Sequence, residues 1–374
     1  PTVNCKEKIE QVQQHVNNVG ATGRDQTLQT MKMRYYADLA RSYLEMQPVF
    51  ARAGARTLAN WAMRHPRPAL WTFPYEGVVQ LMQAGTPGGE IEDAEQIRKP
   101  LNRVALLTPT TSRTELVTVA GMAAEWQLPA DLEPQRVVLY LHGGGYVSGS
   151  PRTHRAITAR LAQLAPARVL VIDYRLAPEN PYPAALEDAW AAYWWLLASG
   201  TPAHQIVIAG DSAGGGLTVA LLLALRDAHV PLPAAAVCLS PWLDLALTGQ
   251  SVNHNRGGDY LNRSVLATSA EMYLAGIDPQ TPLASPLYAD LHGLPPMLMQ
   301  AGTAELLLDD SIRFAARARA AKVDLQLETW PEMIHVWHFT FLIQPKARAA
   351  MRRVAHFIRW AIPEDRLLPF TSQA

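Results

Sequence analysis

An α/β architecture, with a mostly parallel central sheet covered by helices on both faces, is what this chain of 374 residues predicts. Two observations carry the prediction. From about residue 104 onward, short apolar runs alternate with helix-length amphipathic stretches, the pattern of a parallel sheet buried between helical layers. Hydrophobic residues make up 49% and charged residues 18% of the chain, enough for a sizeable core and far from a disordered composition. A chain of this length makes one large domain or two ordinary ones.

The first hundred residues read differently. Leu28, Met31, Tyr35, Leu39, Tyr43 and Met46 recur every three or four residues, which places them on one helix face. Pro48 then interrupts. A second helix follows, with Phe50, Leu58 and Trp61 on its apolar side, until His65-Pro66-Arg67-Pro68 ends it. These faces fit packing against the main domain or against another copy of the chain, so a homo-oligomer is among the expected partners. Arg52, Arg56 and Arg64 suggest a membrane surface, but the apolar faces are modest and acidic residues are mixed in. Thr86-Pro87-Gly88-Gly89-Glu90 reads as a linker.

Strands are predicted over 115–120, 137–141, 169–173, 206–209, 235–239, 297–301 and 323–329, with helices over 153–164, 183–197, 213–227 and 310–321. Residues 243–290 lack a clear core strand and hold a helix over 263–275 behind the flexible Arg256-Gly257-Gly258-Asp259. An insertion there would sit over the C-terminal ends of the strands, where α/β proteins bind ligands.

Lysine plus arginine equals aspartate plus glutamate, at 33 each, so no net field favours nucleic acid. Cys5 and Cys238 lie far apart, the second in an apolar run that makes it a buried thiol; neither a disulfide framework nor a cysteine metal site is supported. The N-terminal stretch has no apolar core of a signal peptide or lipoprotein leader. No run approaches the roughly eighteen apolar residues of a membrane span, and a cytoplasmic location is the expectation.

Residues 210–214 read Gly-Asp-Ser-Ala-Gly, between the apolar run Ile206-Val207-Ile208-Ala209 and a long helix pattern. A strand, a tight turn and a helix would lift the Ser212 hydroxyl out of the turn and aim the helix N-terminus at it. Such a hydroxyl needs a base, a group to orient that base, and donors for the oxyanion that forms. Leu141-His142-Gly143-Gly144-Gly145-Tyr146 follows an apolar run, and its glycines let several N–H groups converge on one charge; the N–H of Ala213 adds another. Neither a Gly-Lys-Ser/Thr ending nor a helix-opening Gly-x-Gly-x-x-Gly supports a phosphate cradle. His142 is expected to hold the glycine loop by a hydrogen bond.

For the base, His335 lies a few residues past the last predicted strand, with His338 as its rival. No further histidine or carboxylate stands at metal-ligand spacing beside that pair. His154, His204, His229, His254 and His292 read as solvated. For the acid, Glu305 stands nearest the end of the strand over 297–301. Asp309 and Asp310 read as the cap and first-turn charges of the next helix, with Asp309 the alternative acid. Tyr146, Tyr182 and Trp242 are candidate walls of a substrate pocket or members of the core.

These motifs are joined by Asp173-Tyr174-Arg175-Leu176-Ala177-Pro178-Glu179 with Pro183-Ala184-Ala185, by Ser240-Pro241-Trp242-Leu243-Asp244, and by Ser285-Pro286-Leu287. Over residues 104–360 the set resembles, in order and spacing, the hormone-sensitive-lipase-like family of carboxylic ester hydrolases, bacterial family IV of the α/β-hydrolase fold. The resemblance implies Ser212 as nucleophile, His335 as base, and Gly144, Gly145 and Ala213 as oxyanion donors. The family's acid motif has aspartate followed by Pro-Leu and an acidic residue four positions on. Glu305 and Asp309 occupy those two places, which favours Glu305 and gives a Ser-His-Glu triad. An esterase of this kind takes a small-molecule ester with a short to medium acyl chain, through an acyl-enzyme, and needs no cofactor and no metal. It divides into residues 1–100, a helical extension and cap, and residues 101–374, the catalytic domain, with 243–290 as a cap insertion. Acyl transfer through the same intermediate is one alternative. A non-catalytic small-ligand receptor is the other, and His335 in its expected loop argues against it.

Overall fold

The computed structural model describes residues 47–63, 71–88, 91, 93–107, 113–129, 136–254 and 258–364. Its centre is one sheet of eight strands: β1 (Arg113–Val119), β2 (Met122–Leu128), β3 (Val137–Leu141), β4 (Arg168–Ile172), β5 (Ile206–Asp211), β6 (Ala235–Leu239), β7 (Met297–Gly302) and β8 (Leu325–Trp330). They lie in the order β1-β2-β4-β3-β5-β6-β7-β8. The strands from β4 across to β8 are parallel, while β2 pairs antiparallel with both β1 and β4. This is the α/β-hydrolase fold the motifs imply.

The central strands are short and buried throughout, as a sheet covered on both sides demands. Alternate residues feed two separate cores. Leu139, Leu141 and Ile208 pack under α5 (Ala184–Ala198), α6 (Ala213–Asp227) and α9 (Leu308–Ala320). Val138, Tyr140 and Val207 pack under α4 (Pro151–Leu164) and α10 (Pro345–Ala361). Neither β2 nor α10 has a counterpart in the sequence reading. In β2, Ala123-Ala124-Glu125 and Gln127 are poor strand formers. Tertiary partners hold it: Arg155 grips the buried Glu125 carboxylate through Nε at 2.7 Å and Nη2 at 2.6 Å, and the Arg168 guanidinium lies 4.3 Å over the Trp126 ring.

The N-terminal segment is helical over 47–62 (α1), Phe73–Gly85 (α2) and Ala94–Leu107 (α3). Pro48 stands in the first described turn of α1. Leu58 is 61% exposed, so the predicted apolar side is off by part of a turn; Ala53 and Thr57 face inward. The face expected over 28–46 and the His65–Pro68 stop lie outside the described residues. Buried Glu76 on α2 joins the two helices, accepting from Asn60 Nδ2 at 2.9 Å and Trp61 Nε1 at 2.6 Å. α3 runs across residue 100 with Pro100 inside it. A third core joins Trp71, Tyr75 and Val79 to Met333, Ile334 and Trp337 of the loop after β8.

Residues 243–290 fill the connection from β6 to β7, with the short α7 (Ser251–His254), α8 (Arg263–Leu274) and a 3-10 turn at Pro286–Tyr288.

Candidate active site

Between β5 and α6, Ser212 has φ 52° and ψ −122°, a conformation that a non-glycine residue adopts only when its surroundings enforce it. The Ser212 amide donates to Leu239 O at 2.9 Å, and its carbonyl accepts from Trp242 N at 2.9 Å and Gly216 N at 3.1 Å. A Cβ on Gly214 would stand 2.0 Å from Leu141 O, so only glycine lets the turn close against β3.

Ser212 Oγ lies 2.8 Å from His335 Nε2, and His335 Nδ1 lies 3.4 Å from Glu305 Oε2. Residues from three separate connections thus meet at the C-terminal edge of the sheet, all buried, with Ser212 itself 8% exposed. Burial pushes the His335 imidazole below its usual range against the opposing charges of Asp259 and Asp211. Burial pushes the Glu305 carboxyl up to about 8, against a hydrogen bond from Ser240 and another from the Gly302 backbone. Asp309 is turned elsewhere: its Oδ2 accepts from Ser251 N at 2.9 Å. It also does not cap α9, because Leu307 is the N-cap and Asp309 stands in the first turn. Asp310 Oδ2 accepts from Leu243 N and Asp244 N at 2.8 and 2.9 Å.

Two residues with no assigned role stand beside this trio. Ser240, at φ 47°, places its hydroxyl against Glu305 and accepts from Val336 N at 3.1 Å. Asp259, in the stretch read as flexible, is buried. Its Oδ1 accepts from His335 N at 3.1 Å and its Oδ2 from Leu306 N at 3.0 Å. Ser240 was visible only as part of a motif. Asp259 gave no signal, since the partners that tie it to this trio, the amides of Leu306 and His335, are far away in sequence.

The glycine loop after β3 is built for close approach. Gly144 has φ 123°, and a Cβ there would meet Ser148 O at 2.2 Å. Gly143 N–H donates to Asp211 Oδ1 at 3.1 Å. The N–H groups of Gly144, Gly145 and Ala213 take part in none of the described hydrogen bonds. Tyr140 Oη donates to Asp211 Oδ1 at 2.8 Å, and His154 Nε2 lies 3.3 Å from Asp211 Oδ2. Burial raises the Asp211 carboxyl, yet His154, by charge and hydrogen bond, and Tyr140 outweigh it and hold the group below its usual range. His154 is therefore 1% exposed and no solvated histidine; His204, His229, His254 and His292 are exposed as expected. His142 sets Nδ1 2.9 Å from Gly143 O and stacks its ring at 4.1 Å on Tyr174. Burial drives its pKa to about 3, so it stays neutral.

Among the three candidate walls, Trp242 and Tyr146 are fully buried core residues that offer no surface to an open cleft. Tyr146 stacks at 3.8 Å on Tyr273 of α8, and half-buried Tyr182 meets the same ring edge-on. His338 Nε2 bonds Gln300 Oε1 at 2.8 Å, and among the described residues no three histidine, cysteine or acidic side chains gather as a metal site.

Comparison with known proteins decides the family. The family model of the alpha/beta hydrolase fold matches residues 138–339. An acetyl-hydrolase of Streptomyces hygroscopicus is 49% identical over 251 residues, 67% of this chain and 84% of its own. An esterase of Acinetobacter venetianus is 35% identical over 265 residues, 70% and 87% of the two chains. The crystal structure of an esterase from the bacterial hormone-sensitive lipase family superposes with TM-score 0.74 at 46% identity, over 76% of this chain and 97% of that one. This chain belongs to the hormone-sensitive-lipase-like family. It is a carboxylesterase-type hydrolase. Another relative of known structure, EstE5 from crystals soaked with p-nitrophenyl butyrate, superposes with TM-score 0.73 at 41% identity over the same shares. Three quarters of this hormone-sensitive-lipase-like chain thus suffices to cover either relative almost whole. No helix among its described residues is long and apolar enough to cross a membrane.

Proposed function

We propose that this hydrolase cleaves short- to medium-chain acyl esters through a Ser212–His335–Glu305 triad and an acyl-enzyme. The observation that carries the reading is the 2.8 Å approach of Ser212 Oγ to His335 Nε2 from a strained turn. Ser212 Oγ attacks the ester carbonyl as Nε2 takes its proton. The oxyanion rests against the N–H groups of Gly144, Gly145 and Ala213, the alcohol leaves with the proton from His335, and water releases the acid by the same route. Glu305 faces Nδ1, where an ionised carboxylate selects the tautomer that leaves Nε2 free to accept. The acetyl-hydrolase relative and the relative soaked with a butyrate ester support a small acyl group.

Residues 1–100 and 243–290 serve as the cap in this reading. Tyr260 stands 5.9 Å from the His335 ring, Gln83 Nε2 donates to Asp259 O at 3.0 Å, and Asn262 Nδ2 donates to Pro87 O at 2.7 Å. The two segments therefore meet each other beside the base.

The test is turnover of p-nitrophenyl esters from acetate to palmitate by wild type, Ser212→Ala and Glu305→Gln. Short esters should turn over best. Ser212→Ala should lose roughly a thousandfold or more and Glu305→Gln roughly a hundredfold or more. A Ser212→Ala enzyme that keeps its rate sinks the reading; a Glu305→Gln enzyme near wild type sinks the acid assignment alone.

A further inference from the structure

We infer that Asp259 is a positioning residue for the acid and base: its single carboxylate fastens the loop bearing Glu305 to the loop bearing His335. This rests on the triad reading above and adds a fourth residue to it. The geometry is specific. One oxygen accepts the amide of His335 itself, at 3.1 Å, and also that of Tyr260, at 2.8 Å. The other accepts the amide of Leu306, the residue after Glu305, at 3.0 Å. The carboxylate thereby ties the amide of His335 to the amide that follows Glu305, and the side chains of Glu305 and His335 face each other across 3.4 Å. Asp259 is 3% exposed, so water does not substitute for these bonds, and Gln83 of α2 holds its carbonyl from the far side. A neutral amide in its place has only one acceptor oxygen and turns an NH2 group toward a backbone donor.

The same carboxyl joins a group of buried titratable side chains. Facing it are Glu305 on the loop after β7, His335 on the loop after β8, Tyr75 on α2 and Tyr260 beside it; Asp211 acts on His335 from β5, and His335 in turn acts on His338. Burial pushes Asp259 up to about 6. Its charge raises the affinity of His335 for a proton, and Glu305 opposite repels it and raises the Asp259 carboxyl in turn. Charge and clamp are therefore separable by experiment.

Asp259→Asn, Asp259→Glu and Ser212→Ala are compared in the full chain on p-nitrophenyl butyrate from pH 5 to 10, with melting temperatures alongside. Asp259→Asn should lower kcat by about tenfold or more with KM changed less than about threefold, because the residue touches no substrate. Its acid limb in kcat/KM should move to lower pH by about half a unit or more. Asp259→Glu keeps the charge on a longer arm, so its limb should stay in place while kcat falls. A merely structural tether predicts a lower melting temperature with kcat within about twofold and an unmoved limb; that result for Asp259→Asn overturns the inference. Should Asp259→Asn not fold, wild-type kcat in Asp259→Glu does so instead. An active Ser212→Ala enzyme removes the triad and this inference together, whereas an inert one beside a normal Asp259→Asn enzyme removes this inference alone.

Discussion

Glu305 and His335 present opposite responses to one environment: burial raises the carboxyl to about 8 and lowers the imidazole. A proton arriving at the pair settles on Glu305 first, which removes the acceptor that Nδ1 needs. Activity should therefore climb as pH rises through about 8, later than an ordinary histidine base would require. A kcat/KM profile on an ester stable to alkali checks this; a limb complete by pH about 6.5 contradicts it. Ser212 and His335 were legible because a tight turn and a loop after the last strand announce themselves in residue type and order. His154 and Asp259 were not, because their burial follows from elements that meet only in three dimensions.

At the scale of elements, α3 is fixed to the glycine loop by one side chain. Arg98 donates from Nε to Val147 O at 2.7 Å and from Nη2 to Ala177 O at 2.9 Å, and it also pairs with Glu179. The two carbonyl contacts and the ion pair should weigh differently. Glu179 is 58% exposed, so its charge is well screened although Arg98 holds its pKa near 2. Glu179→Gln should change stability by less than about 0.5 kcal/mol. Arg98→Ala should cost about 1–3 kcal/mol, seen in urea unfolding, and slow ester turnover several-fold by loosening the loop of Gly144 and Gly145. Equal effects from the two variants would show that the ion pair, and not the carbonyl contacts, holds the helix. The central strands were readable from their apolar runs. β2 was not, since its poor strand formers are held by side chains, Arg155 and Arg168, that later elements deliver. The apolar side of α1 misled for a related reason: Ala53 and Thr57 are small enough to sit where Leu58 was expected.

Across the whole molecule, buried carboxyls impose a pH dependence on stability. Glu305 binds its proton more tightly folded than unfolded, and Asp259 does likewise, with folded values near 8 and 6. The folded state therefore holds more protons above the unfolded values, and this contribution to stability falls as pH rises from about 4 toward 8. Glu305→Gln should melt at least about 2 °C higher than wild type at pH 9, with the difference closing near pH 5. A gap of equal size at both pH values would mean that packing, not ionisation, separates the two proteins. Fold class and family were legible at this scale, because alternation and motif spacing survive any local error. How the N-terminal helices dock was not, since amphipathic faces do not name their partners.

That docking bears on how a smaller version of the enzyme could be made. Trp71, Tyr75 and Val79 share a core with Met333, Ile334 and Trp337, the neighbours of His335 in sequence. Trp71 Nε1 also donates to Glu332 O at 2.7 Å. Trimming away the segment before residue 80 would strip one wall from the loop that carries His335 and leave Ile334 and Trp337 bare. The shortened protein would keep all three residues of the proposed triad, yet the His335 imidazole would sit on an unsupported loop. Miniaturisation has to replace those three side chains before it removes the helices that bring them.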